Sequence, residues 1–235
     1  MKRKKHIIVM ITVITACFVV MALVNEQNSV DVSNLEDESS DNIIVLDAGH
    51  GGEDGGAVSS SGVVESDINL QFTEKLKDIL SLNGYKIVMT REDNSDLADK
   101  SIETISGRKK SDMHRRLDIY NSHIQNVAIS IHQNIFPADS CKGTQVFYST
   151  QTQSGKVLAD NITDAVKKYL QPENQRLSKP TSGSIFLLDN AKIPAVIVEC
   201  GFLSNSEELK QLCDQDYQKK FSYCVFLGLL NTSNL

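Results

Sequence analysis

The chain has 235 residues, 40% hydrophobic and 23% charged, with a formal net charge of -6. That length suffices for one domain with a full core plus a short appendage, and the composition is that of an ordinary globular protein. With no large basic block beyond the first few residues, nucleic-acid binding is disfavoured.

Met1-Lys2-Arg3-Lys4-Lys5 is basic, and Ile7 to Val24 follows as 18 residues without a charge. As a helix this run would be roughly 27 Å long, close to the thickness of a bilayer's hydrocarbon core. The basic flank stays on the cytoplasmic side, so the remainder is expected to be exported. We read residues 1–24 as an uncleaved anchor, with a cleaved signal as the alternative. Ala22-Leu23-Val24 is a poor cleavage site, and the apolar run continues well past the lipobox-like Ile14-Thr15-Ala16-Cys17. Residues 25–42 are polar, with Glu36-Asp37-Glu38-Ser39-Ser40-Asp41 at their centre. They cannot bury enough apolar surface to fold alone and read as a tether.

The folded domain is expected over 43–235. Ile43 to Asp47 predicts a first strand, and a Gly- and Ser-rich loop over 51–64 follows. Ile68, Phe72, Leu76 and Ile79 repeat at helical spacing, with Ser66 as the predicted N-cap and Gly84 as the stop. Tyr85 to Thr90 reads as a strand, and 93–111 as polar loop with some helix. Met113, Leu117, Tyr120 and Ile124 predict a second helix. Strands are predicted over Val127–His132 and Gly143–Ser149, then a helix carrying Leu158, Ile162, Ala165 and Tyr169. Ile185–Leu188 and Ala195–Glu199 read as strands, and two closing helices follow, one over about Asn205–Cys213 and one with Tyr217, Phe221, Cys224 and Val225 on one face. Alternating strands and helices predict an α/β fold on a mostly parallel sheet.

Four residues stand out by position. His50, in Asp47-Ala48-Gly49-His50-Gly51-Gly52, follows the first strand; His132 and Glu199 each end an apolar strand; Glu65 precedes the first predicted helix cap. Strand ends of such a sheet gather along one edge, where ligands bind. Taken singly, either histidine is more often a hydrogen-bonded turn residue, and Glu65 a favourable charge at a helix N-terminus. Together, two imidazoles and the Glu65 carboxylate make a three-ligand zinc set with the fourth position open to water. A second carboxylate must then move the proton, and Glu199, among Ile197, Val198 and Phe202, suits that task.

Softer candidates are Arg91, as a contact for an anionic substrate or an ion pair with Asp93, and Asn134, close enough to His132 to touch substrate. Lys109, Lys110, Arg115 and Arg116 read as a solvated face. His114 and His123 read as solvated, and the cysteines as small buried side chains, with no C-x-x-C pair to suggest a thiolate metal site.

These residues resemble the zinc-dependent N-acetylmuramoyl-L-alanine amidases of bacteria, over about Ile43 to Leu230. The matching stretches are Leu46–Gly52, Glu65–Leu70, Thr90–Asp93, Ser130–Asn134 and Pro194–Asn205. The resemblance implies one zinc held by His50, Glu65 and His132, and a catalytic Glu199. It implies cleavage of the amide between the lactyl group of N-acetylmuramic acid and the first L-alanine of the stem peptide, on a twisted sheet with helices on both faces. Gln133 and Ile135 depart from the small residues common there. Some relatives carry an extra helix that plugs the site, and 93–111 is the segment here that could cover it. A single N-terminal apolar segment before a bare catalytic domain is similar to the germination-specific amidases of spore formers, which act on cortex peptidoglycan. The expected partners are peptidoglycan, the membrane through residues 1–24, and an exported protein that positions or activates the enzyme. A vegetative wall amidase, a non-catalytic wall-binding module and a zinc peptidase or deacetylase of similar fold are the competing readings.

Overall fold

The computed structural model describes residues 43–232, so the anchor and tether expected over 1–42 lie outside the described residues. Six strands form one sheet: β1 (Ile43–Ala48), β2 (Lys86–Met89), β3 (Val127–Asn134), β4 (Gln145–Tyr148), β5 (Lys179–Pro180) and β6 (Ala195–Phe202). Their order is β2-β1-β3-β6-β4-β5. All neighbouring pairs are parallel except β4 with β6. The helices are α1 (Glu65–Leu82), α2 (Ile105–Tyr120), α3 (Gln153–Tyr169), α4 (Phe186–Asn190), α5 (Ser206–Leu212) and α6 (Gln215–Leu230). None of these is long and apolar enough to cross a membrane.

Because side chains alternate along a strand, the central strands β1, β3 and β6 each feed two cores. Ile44, Leu46, Ile129, Ile131, Val196 and Val198 pack on one face under α1, α3 and α6, through residues such as Phe72, Ile162 and Phe221. Val45, Ala128, Ala195 and Ile197 pack on the other face under α2 and α4, with Tyr120, Leu187 and Leu188. The expected α/β sandwich is therefore present, with helices on both faces. Gly228 lets α6 lie close against α3, since a Cβ there would stand 2.6 Å from Ile162 Cα.

Helix ends follow from local chemistry, with some departures from expectation. Thr104, Thr152, Asn205 and Asp214 accept main-chain N–H bonds as N-caps of α2, α3, α5 and α6. Ser66 does not cap α1; the helix begins one residue earlier, at Glu65, after Val64. Gly84 does stop α1, at φ +82°. Ile124 lies beyond α2, which ends at Tyr120. There the Asn126 amide donates to the carbonyls of Ile119 and Tyr120. The strand expected over Ile185–Leu188 is instead the helical turn α4. The Asp189 carboxylate accepts from the Ile185 N–H at 3.0 Å and from the Thr181 hydroxyl, holding the turn closed over buried Leu187 and Leu188. His114 is exposed, as expected, and packs edge-on against Phe186 of α4. Cys200 and Cys224 are buried free thiols, as expected, whereas Cys213 is exposed.

Candidate metal centre and active site

The chain leaves β1 for β2 on one side and reaches β3 on the other, so the winding of the sheet reverses between β1 and β3. In open α/β sheets the crevice at such a reversal, beyond the C-terminal strand ends, is where ligands bind. His50 lies just past β1 and His132 near the end of β3, on either side of it.

His50 has a left-handed backbone, φ +63°, which turns the loop back over the sheet. Its Nδ1 donates to Asp54 Oδ2 at 3.0 Å, leaving Nε2 facing Glu65 Oε1 at 3.3 Å. Glu65 opens α1 and is buried. Its Oε1 accepts from the Gln133 N–H and the Asn69 amide, and its Oε2 from the Ala57 N–H. His132 Nδ1 stands 3.0 Å from the same Oε1, and the two imidazoles meet edge to face with centroids 4.9 Å apart. Gly49 makes this approach feasible: a Cβ there would sit 2.2 Å from His132 Nε2.

The three side chains offer ligand atoms that all lie within 4.8 Å of one another, a group that could hold a metal ion. Zinc bonds of ~2.0–2.1 Å in a tetrahedron separate ligand atoms by about 3.3 Å, so the spacings to Glu65 fit that ion. Burial opposes the charge of Glu65, yet hydrogen bonds from both histidines outweigh it and hold the carboxyl well below its usual range. Burial likewise opposes a charge on His50, but Asp54 and Glu65 push its imidazole up to about 9. A metal ion must therefore displace a proton to use His50.

Glu199 on β6 is the register partner of His132 on β3, and Gln145 on β4 is the partner of Glu199. His132, Glu199 and Gln145 thus form a row across one face of the sheet. Burial pushes the Glu199 carboxyl up. Its Oε2 and the Oε1 of Gln145 are buried without a hydrogen-bond partner. The Gln145 amide nitrogen donates to the Leu177 carbonyl at 2.6 Å. Asn134, two residues past His132, pairs with Phe202 at the same edge and is half-buried.

Beneath the histidines lies a network that sequence reasoning missed. Asp47 is fully buried in β1 and accepts from Thr90, Tyr120, Ser130 and Arg116. Burial would raise its carboxyl, but the Arg116 charge and the Ser130 and Thr90 hydroxyls hold it well below the usual range. Arg116 is 1% exposed and also donates to the carbonyls of Ala48 and His50, at 2.9 and 2.7 Å. It is a buried clamp on the histidine loop, not part of a solvated face. The signals were present: a charge inside an apolar strand demands a partner, and Asp112–Arg116 is an i,i+4 pair.

Arg91 also departs from the substrate contact expected of it. It is 3% exposed, and its guanidinium donates to the carbonyls of Ala48, Gly49, Ser66 and Asp93. With those acceptors it fastens β1, the glycine turn and α1 together. Residues 94–96 pack on that turn, where the Gly52 N–H donates to the Asn94 carbonyl at 2.7 Å.

Comparison with known proteins identifies the family. The N-acetylmuramoyl-L-alanine amidase family model (Amidase_3) matches residues 44–231. The germination-specific N-acetylmuramoyl-L-alanine amidase of Bacillus subtilis is 35% identical over 188 residues, covering 80% of this chain and 78% of that protein. Among solved structures, the CwlD amidase from Clostridioides difficile, in complex with the GerS lipoprotein, superposes with a TM-score of 0.78 at 36% identity. It spans 81% of this chain and 98% of that one. A second amidase, from Clostridium difficile 630, shares the fold with a TM-score of 0.70 at 24% identity. The chain belongs to the N-acetylmuramoyl-L-alanine amidase family and is a peptidoglycan hydrolase of that class.

Proposed function

We propose that His50, Glu65 and His132 hold one zinc ion and that Glu199 is the general base and acid for cleavage of the bond between the muramic acid lactyl group and L-alanine. The observation that carries this reading is the row His132–Glu199 beside a two-imidazole, one-carboxylate cluster whose ligand atoms lie within 4.8 Å. Zinc, when bound, supplies a Lewis acid for the substrate carbonyl and a water of lowered pKa. Glu199 takes a proton from the attacking water and passes it to the leaving amine of L-alanine. Its raised proton affinity suits it to both halves of that transfer. Asn134 at the rim is proposed to contact substrate.

The likeness to a germination-specific amidase over most of both chains supports a role on spore-cortex peptidoglycan. The basic, apolar residues 1–24 support a membrane-anchored enzyme on the extracytoplasmic side. The structural relative was solved with a lipoprotein, which supports an exported partner for this chain. The decisive experiment is Glu199→Gln. The variant is expected to retain zinc at one per chain while losing release of stem peptides from purified peptidoglycan by about 10²–10⁴-fold. Undiminished release, followed by mass spectrometry of muropeptides, would remove Glu199 from the mechanism.

A further inference from the structure

We infer that Lys109 of α2 is a positioning residue for the metal site, acting through Asp54 on His50; the inference rests on the zinc reading above. Lys109 Nζ lies 2.9 Å from Asp54 Oδ2, the same oxygen that receives the His50 Nδ1 proton at 3.0 Å. Asp54 is therefore held from two sides, by the imidazole it orients and by a cation fixed to a helix. One residue earlier, Arg108 grips Glu53 through Nε and Nη2, at 2.9 and 2.7 Å. Two turns on, Arg116 holds the His50 carbonyl. Lys109, Asp112 and Arg116 share one face of α2 by their spacing of three and four, whereas Lys110 does not. The helix thus holds the His50 loop at the Asp54 carboxylate and at the His50 main chain.

The Lys109–Asp54 pair is half-exposed, with side-chain exposures of 55% and 32%. Such pairs add little to stability, on the order of 0–1 kcal/mol. Its consequence lies instead in geometry. Without Lys109 the imidazole alone holds Asp54 Oδ2, and the carboxylate's other anchor is a long 3.4 Å bond from the Gly56 N–H to Oδ1, so it turns more readily to water. His50 then loses the bond that fixes its ring and keeps Nε2 as the free lone pair. Partners that orient a metal-binding histidine typically change metal affinity by about 10–100-fold when removed.

A plain charge effect has the opposite sign, which makes the test sharp. Removing a nearby positive charge should strengthen binding of a dication if only the field matters. Removing a positioning group should weaken it. Zinc affinity of the full chain is measured by competition with a chromophoric chelator for wild type, Lys109→Met, Lys109→Arg and Lys110→Met. Thermal midpoints of the metal-free proteins are recorded alongside. Lys109→Met is expected to bind zinc about tenfold more weakly with its metal-free midpoint nearly unchanged, Lys109→Arg to recover most of the loss, and Lys110→Met to match wild type. Equal or tighter binding by Lys109→Met, or an equal loss in Lys110→Met, would overturn the inference. A wild-type chain that takes up no zinc would instead overturn the zinc reading on which it rests.

Discussion

Asp47 places a negative charge near the C-terminal end of an otherwise apolar strand, and four donors from β2's end, α2 and β3 answer it. Breaking such a pair by removing one partner costs about 3–5 kcal/mol, because the other charge is left buried. Asp47→Asn should therefore unfold at a lower urea midpoint at neutral pH. The pH dependence follows from the carboxyl being held below its ordinary 3.8 in the folded state. Its stabilisation is complete above that value and is lost as pH falls toward the lowered folded value. Wild type should lose stability progressively below about pH 4, and Asp47→Asn should lose less over the same interval, as compared by urea titrations at pH 7 and pH 3. Gly49 is a second residue whose role is spatial. Gly49→Ala drives a methyl group into the His132 ring, so zinc affinity should fall by more than about tenfold, read by chelator competition. The placement of Glu65 beside the two histidines was legible only through the motif around it, since a glutamate before a helix is ordinary. The lone charge of Asp47 signalled that a partner must exist, but not that the partner is Arg116, which lies 69 residues away.

At the level of elements, β1, β3 and β6 were readable because buried parallel strands are near-continuous apolar runs. The α4 turn was misread for the same reason. Four apolar residues do not distinguish a buried strand from a buried helical turn, and the deciding residue, Asp189, acts through its side chain rather than its hydropathy. Asp189→Ala should accordingly loosen α4 and cost about 1–2 kcal/mol, measured by denaturant midpoint, while zinc uptake stays unchanged. β5 is two residues long, and Lys179-Pro180 carries no strand signal. Its only support is pairing with β4. The basic run on α2 was divided by helix geometry: Lys109 and Arg116 turn toward the histidine loop, and Arg116 is among the largest fully buried side chains. A sequence shows that four cations share a helix; which of them find acidic or carbonyl partners depends on the loop that packs there.

At the scale of the whole molecule, the sheet order decides when the site comes into being. β6 is the last strand in the chain, yet it lies between β3 and β4. Until residues 195–202 insert, the sheet consists of two pieces, β2-β1-β3 and β4-β5, with no edge in common. A chain made from its N-terminus has all three proposed metal ligands by residue 132, on β1's turn, α1 and β3, with β1 and β3 already neighbours. Glu199 arrives only with the strand that joins the halves. The order of synthesis and the order of the sheet together impose a delay: an incomplete or C-terminally clipped chain has the proposed metal ligands but not the carboxylate placed beside them. On the proposed mechanism, bond cleavage thus waits for the last long-range strand pairing, and lytic activity is withheld until the fold is finished.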